Sequence, residues 1–118
     1  MGQLTTHVLD TASGTPAAGL ELTLVRLSPH GERSILVKTT TNSNGRTEEP
    51  LLIQENFQAA TYELTFAVKA YFQQAKTPVD DPPFLDEVTL RFTVAHADQH
   101  YHVPLLVSPW SYSTYRGS

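Results

Sequence analysis

The sequence contains no cysteine among its 118 residues, which excludes disulfide bridges, thiolate zinc sites and cysteine nucleophiles together. It also lacks any run of the roughly 18 apolar residues that a membrane-spanning helix requires, so we expect no membrane partner. Basic residues are scarce, since eight Lys and Arg stand against twelve Asp and Glu and the net charge is -4. We therefore expect no nucleic-acid partner, because phosphate binding needs a basic surface.

The beginning of the chain shows neither the basic nor the apolar segment of a secretory signal. Together with the absence of cysteine, this predicts a cytoplasmic protein. A chain of this length accommodates one domain, because two halves would each be too small to bury a core of their own. We therefore predict a single domain over residues 1–118.

Residues that favour strands are abundant: Thr occurs 15 times, Val 9 times and Ile twice. Alternation of apolar and polar residues, interrupted by Pro- and Gly-containing turns, predicts a series of short strands. These strands cover residues 4–9, 20–27, 34–41, 62–72, 88–94, 101–107 and 111–116. A short helix is expected over residues 72–76. Seven or eight short strands with one short helix predict an all-β, two-sheet antiparallel β-sandwich.

Two histidines lie on the outward faces of predicted strands. His7 shares its face with Leu9, and His102 shares its face with Pro104 and Leu106, opposite the apolar core positions. An outward face with leucines is typical of a surface covered by another subunit. A partly dehydrated histidine tends to stay neutral and can act as a base. The simpler alternative is that each histidine makes one hydrogen bond at a surface or interface.

A metal site is a further alternative near the second histidine. His96, Asp98, His100 and His102 alternate along the chain, and on one strand all four would share a face. Imidazole and carboxylate groups suit zinc. However, the strand pattern lapses over residues 95–99, which favours a turn there instead of a shared face. A zinc-dependent amidohydrolase using His96, His100 and His102 therefore stays an alternative to a metal-free site.

Arg46 follows an Asn-Gly pair in the segment Asn42-Ser43-Asn44-Gly45, which is a strong signal for a hairpin turn. An arginine at such a turn commonly just meets water. Its functional interpretation is that the planar guanidinium binds an anionic or amide-rich ring through paired hydrogen bonds. The sequence has no glycine-rich phosphate loop, no Gly-x-Ser-x-Gly elbow and no His-Glu-x-x-His motif, which argues against the common nucleotide-binding, serine-hydrolase and zinc-protease classes.

Three segments resemble the transthyretin-like protein family. They are LTTHVLD at residues 4–10 with GTPA at 14–17, NSNGR at residues 42–46, and YHVPLLVSP at residues 101–109 followed by YSTYRGS at 112–118. The final tetrapeptide, Tyr115-Arg116-Gly117-Ser118, resembles the ending of the enzyme branch of this family, the 5-hydroxyisourate hydrolases. The resemblance spans nearly the whole chain.

The resemblance implies a prealbumin-like sandwich that assembles into a homotetramer, with active sites at the dimer–dimer interface. It implies hydrolytic ring opening of 5-hydroxyisourate without a metal or cofactor. Carried over residue by residue, His7 and His102 would activate water and transfer protons, and His7, Arg46, Tyr115 and Ser118 would bind the substrate. The resemblance leaves one alternative from another class, a carrier that binds an aromatic ligand such as thyroid hormone in the tetramer channel.

Overall fold

The computed structural model describes residues 2–117. Its strands are β1 (Gln3–Thr5), β2 (Val8–Asp10), β3 (Thr15–Pro16), β4 (Glu21–Leu27), β5 (Arg33–Thr40), β6 (Leu52–Ile53), β7 (Ala60–Phe66), β8 (Val88–Val94), β9 (His100–His102), β10 (Leu105–Val107) and β11 (Tyr112–Thr114). A 3-10 helix (Gln54–Asn56) and one α-helix, α1 (Val68–Gln74), complete the regular structure. The predicted all-β class with one short α-helix is confirmed, although the helix lies at Val68–Gln74 and not over residues 72–76. No helix within residues 2–117 has the length and apolar character needed to cross a membrane.

The strands form two layers. One layer is an antiparallel sheet in the order β5-β4-β7-β8, and the other consists of the ladders β6-β1-β9 and β11-β10-β2-β3. In the second layer, β1 pairs with β9 and β2 with β10 in parallel, with Leu4 opposite Tyr101 and Val8 opposite Leu105. The pairing of β1 with β9 and the pairing of β2 with β10 have the same register, so they continue one another. The sandwich is therefore largely antiparallel, with one parallel pairing at the centre of its second layer.

A single cluster of buried side chains draws on both layers and on α1. It includes Leu22, Leu24, Tyr62, Leu64, Phe66, Val88 and Leu90 from the antiparallel sheet, and Leu4, Val8, Tyr101, Leu105 and Val107 from the second layer. The alternation predicted for β8 is confirmed over Val88–Val94. Because the inward residues alternate with outward polar ones, each sheet buries one face and presents the other to its surroundings.

The long alternation over residues 62–72 is strand only in its first half. The strand β7 ends at Phe66, and α1 begins at Val68. Val68 and Phe72 are both buried while Ala70 is exposed. Residues four apart share a helix face and also share strand parity, so the apolar pattern alone did not separate the two structures. The strand interpretation is wrong beyond Phe66, and the exposure of Ala70 distinguishes the helix from a strand.

The first predicted strand is interrupted at its centre. β1 ends at Thr5, β2 begins at Val8, and the buried Thr6 hydroxyl donates a 2.7 Å hydrogen bond to the carbonyl oxygen of Val103. Pro104, which the alternation places outward, is buried, and its carbonyl oxygen accepts a 2.7 Å hydrogen bond from the Thr114 hydroxyl. Both strands of the parallel pair therefore break at the same level, next to the two candidate histidines.

Candidate active site

The turn that carries Arg46 is fixed by Asn42 and Gly45. The Asn42 side-chain oxygen accepts hydrogen bonds from the backbone N–H groups of Asn44 (2.9 Å) and Arg46 (3.2 Å). Gly45 has φ +75°, and a Cβ atom there would lie 2.5 Å from the Val8 carbonyl oxygen. Only glycine combines this backbone conformation with such a close approach. The predicted turn is present, but it carries the chain from β5 into the other layer and does not form a hairpin between neighbouring strands.

This turn brings Arg46 beside His7. The backbone N–H of Val8 donates to the carbonyl oxygen of Gly45 at 2.8 Å, and His7 and Arg46 face each other in an isolated antiparallel bridge. The same stretch is held from its other side, because the N–H of Leu105 donates to the carbonyl oxygen of His7 at 2.9 Å. His7 thus lies between the Arg46 turn and the strand that follows His102.

His102 is anchored by a threonine on the neighbouring strand. Parallel pairing places Thr5 opposite His102, and the Thr5 hydroxyl oxygen lies 2.8 Å from His102 Nδ1. The same oxygen lies 3.0 Å from His100 Nε2. The rings of His100 and His102 are 6.4 Å apart between centroids. The outward faces of β1 and β9 therefore carry a hydrogen-bonded group of three side chains.

Four cationic or potentially cationic side chains meet here, and we refer to Arg46, His7, His100 and His102 as the cationic cluster. Burial lowers the pKa of His102, and the positive charges of Arg46, His100 and His7 lower it further. A histidine with a lowered pKa is neutral at neutral pH and has a free lone pair. The geometry and the electrostatics therefore both favour a proton-accepting imidazole at this position.

The closing segment of the chain packs directly on His102. The N–H of Gly117 donates to the His102 carbonyl oxygen at 2.7 Å, and a Cβ atom on Gly117 would lie 2.7 Å from His102 Cδ2. The guanidinium of Arg116 lies 3.8 Å from the centroid of the Tyr101 ring, in a cation–π contact. Tyr115 is 60% exposed and lines an open pocket together with His100, Arg116 and Gly117. Ser118, also a predicted site residue, lies outside the described residues.

The sequence model of the HIUase/Transthyretin family matches residues 4–117. The chain belongs to this family. A 5-hydroxyisourate hydrolase of Ralstonia nicotianae is 58% identical over 118 residues, which is 100% of each chain.

Two solved structures extend the comparison. The crystal structure of (S)-allantoin synthase has a TM-score of 0.94 and 48% identity over 99% of this chain, which spans only 44% of that longer chain. Sea bream transthyretin in complex with thyroxine has a TM-score of 0.87 and 27% identity, covering 98% of this chain and 94% of its own. The backbone is thus close to both proteins, while the sequence is much closer to the synthase and to the hydrolase than to transthyretin.

This family member does not assemble the alternative zinc ligands. His96 lies in a turn closed by a 3.0 Å hydrogen bond from the Gln99 N–H to the His96 carbonyl oxygen, and β9 starts only at His100. The shared face of His96, Asp98, His100 and His102 is therefore not formed. Across residues 2–117, no three or more His, Asp or Glu side chains are grouped as metal ligands.

Sequence reasoning missed Thr5 as a member of the site, and it considered His100 only as a candidate zinc ligand. Strand parity places Thr5 on the face of His7, and His100 on the face of His102. The missing information is the pairing between β1 and β9, which joins residues 97 positions apart in the sequence. No local pattern specifies that pairing, so the contact between Thr5 and the two histidines is visible only in the folded chain.

Proposed function

We propose that this protein hydrolyses 5-hydroxyisourate with a site formed by His7, Arg46 and His102 in one domain spanning residues 1–118. The reaction opens the six-membered ring at a ring amide and gives 2-oxo-4-hydroxy-4-carboxy-5-ureidoimidazoline. The family membership and the 58% identity to a 5-hydroxyisourate hydrolase support the reaction. No metal or cofactor is part of the proposal.

The observation that carries the proposal is the meeting of three distant chain segments in one cluster. The backbones of His7 and Arg46 form an isolated antiparallel bridge, and Arg46 and His7 both lower the pKa of His102. The cluster lies on the outward face of the second layer, where His7 and His102 are half-buried. A neutral base beside a fixed cation is the combination that amide hydrolysis by water requires.

The chemistry assigns a role to each group. A neutral histidine removes a proton from water, and the water oxygen forms a bond to the ring carbonyl carbon as the C–N bond of the ring amide breaks. The protonated histidine then returns the proton to the departing ring nitrogen, so that protons balance. The guanidinium of Arg46 holds the polar edge of the ring and stabilises the negative charge that develops on the carbonyl oxygen.

Tyr115 and Ser118 complete the proposed binding site. Tyr115 lines the open pocket beside His100, and the hydrogen bond between Gly117 and His102 supports including the closing tetrapeptide in the proposal. Ser118 would contribute its hydroxyl or its backbone to substrate binding. The proposal also includes a cytoplasmic location, which the cysteine-free composition supports.

The proposed assembly is a homotetramer with the sites at its dimer–dimer interface. On the outward face, Leu9 and Leu106 are half-buried beside His7 and His102 in the single chain. A second pair of subunits that covers this face would remove the leucines from water and enclose the cluster in a channel. Analytical ultracentrifugation tests the assembly, and we expect Leu106→Glu to yield dimers because a charge cannot be buried there without a partner.

The test of the activity uses 5-hydroxyisourate freshly produced from urate by a urate oxidase. The ultraviolet decay of the compound is followed with and without the protein, because it also decays unaided. We expect acceleration that persists in the presence of a chelator and is lost on deletion of residues 115–118. A folded tetramer that does not accelerate the decay but binds thyroxine tightly would contradict the proposal and favour the carrier.

A further inference from the structure

The Thr5 hydroxyl links the rings of His100 and His102 by hydrogen bonds. Its oxygen lies 3.0 Å from His100 Nε2 and 2.8 Å from His102 Nδ1. A hydroxyl has one proton to donate and can accept in return. The direction of its donated hydrogen bond therefore decides which ring nitrogen of neutral His102 carries the proton.

A third side chain sets that direction. The amide nitrogen of Gln3 lies 3.5 Å from His100 Nε2. An amide nitrogen is a donor, so its position favours a His100 ring whose Nε2 is unprotonated and can accept. The Thr5 hydroxyl, which is nearer than the Gln3 amide, then donates to the single lone pair of that Nε2, and its oxygen accepts from His102 Nδ1–H. The chain of donors thus runs from His102 through Thr5 to His100.

We propose that Thr5 is a positioning residue that holds neutral His102 in the Nδ1–H form, with His100 as the terminal acceptor. In this form the lone pair of His102 is on Nε2, the ring nitrogen that no other group among residues 2–117 engages by a hydrogen bond. This inference rests on the proposed function, and it assigns His102 as the group that removes the proton from water. In the opposite form, Nε2–H would point a donor at the water and could not remove its proton.

The surroundings of His102 are consistent with this role. The charged and titratable groups that act on it are Arg46 from the crossing turn, His7 from the break between β1 and β2, and His100 from its own strand. None of these is a carboxylate. A neutral hydroxyl orients the imidazole without the strong stabilisation of the imidazolium that a carboxylate would give. The base is thereby oriented while its proton affinity stays low.

The first experiment reads the tautomer without substrate. The full-length protein is labelled with ¹⁵N-histidine, and the ring nitrogens are correlated with the ring protons at a pH where His102 is neutral. Comparison with His102→Asn identifies the His102 signals. We expect the proton on Nδ1 in the wild-type protein and in Thr5→Ser, and a mixture of both forms in Thr5→Val. A wild-type His102 with its proton on Nε2 would overturn the inference.

The second experiment measures kcat and KM for the same variants. Thr5→Val keeps the shape of the side chain and removes the hydroxyl, so we expect kcat to fall about tenfold with little change in KM. Thr5→Ser restores the hydroxyl and should restore kcat. Equal loss in both variants, or full kcat in Thr5→Val, would contradict a positioning role. Wild-type turnover reports on the proposed function separately, because the tautomer is measured without turnover.

Discussion

Two charged clusters lie in different layers of the sandwich and treat positive charge in opposite ways. In the antiparallel sheet, the Glu63 carboxylate accepts hydrogen bonds from Arg33 at 2.6 Å and from Arg91 at 2.9 Å. In the second layer, the cationic cluster gathers Arg46 and three histidines, and no carboxylate of residues 2–117 forms an ion pair with it. One cluster pairs both of its arginines with a carboxylate, and the other has no such pair among residues 2–117.

The difference separates a structural role from a functional one. The hydrogen bonds from Arg33 and Arg91 lower the pKa of Glu63, so the carboxylate is ionised and paired in the folded protein. Burial and the neighbouring positive charges lower the pKa of His102, and the proposed function assigns the Arg46 guanidinium to binding the substrate. The proposed reaction needs a neutral base and a cation that stabilises an oxyanion. An ion pair that only stabilises a sheet needs neither.

The largest expected effect comes from removing an imidazole of the cationic cluster. We expect His102→Asn, and separately His7→Asn, to lower kcat/KM by about 10²–10⁴-fold, because asparagine cannot take part in proton transfer as an imidazole does. Ultraviolet decay of 5-hydroxyisourate measures the loss, and sedimentation should show an unchanged assembly. Full activity in either variant would remove that histidine from the mechanism.

Removing the cation of the cluster should have the next largest effect. Arg46→Gln retains polar atoms but loses the charge and the paired donors, and we expect kcat/KM to fall by about 10²–10³-fold. Arg33→Gln is the matched control, because it removes an arginine that is paired in the other layer. Comparable losses in the two variants would show that the arginine at the site has no special role.

Breaking the cluster around Glu63 should change stability and not catalysis. The Glu63 carboxylate is shielded by two arginine side chains that are 53% and 65% exposed, and not by depth in the core. Solvent screening is therefore substantial, and we expect Glu63→Gln to lower the free energy of unfolding at neutral pH by about 1 kcal/mol with unchanged kcat. Urea denaturation and the decay assay measure the two quantities. A clear fall in kcat for folded Glu63→Gln would link this cluster to the site.

The pH dependence of that stability has a definite sign. The folded-state pKa of Glu63 is below its ordinary value of 4.5, so its contribution is complete above that pH. It disappears as the pH falls through the lowered folded-state pKa. The difference in unfolding free energy between the wild-type protein and Glu63→Gln should therefore shrink on acidification below 4.5. A difference that stayed constant down to strongly acidic pH would show that Glu63 is not held ionised by its partners.

The smallest effect we expect is a shift of the pH–rate profile. Arg46, as a positive charge, lowers the pKa of His102. In Arg46→Gln this pKa should rise, and the acidic limb of kcat/KM should move to higher pH, because the base is protonated over a wider range. Glu63→Gln should leave that limb in place. An unmoved limb in Arg46→Gln would mean that His102 does not titrate in the profile.

Local sequence patterns predicted much of the fold because the fold is built from local alternation. The strand at Val88–Val94 was predicted with its observed bounds, because apolar and polar side chains alternate between its two faces. The strand predicted over residues 62–72 was wrong beyond Phe66, because Val68 and Phe72 fit both a strand and a helix. Parity also placed His7 and His102 on outward faces, where the structure has them half-buried.

The assembly of the site was predictable only through the resemblance to a family. His7 and Arg46 meet because a turn crosses between layers, and Thr5 meets His102 because two strands far apart in the sequence pair in parallel. Neither event has a local signal, since pairing depends on the energy of the whole sheet and not on the residues of one strand. The role of Ser118 stays a prediction, as it lies outside the described residues.

The parallel pairing of β1 with β9 also has a consequence for the order in which the protein matures during synthesis. The first strand leaves the ribosome almost a full chain length ahead of its partner. The edge of β1 and β2 that pairs with β9 and β10 therefore stays unpaired until residues 100–107 emerge. Contacts of such long range form late and slow folding. Hydrolytic activity should therefore appear only when the chain is essentially complete, which makes turnover a direct readout of finished folding in a cell-free translation reaction.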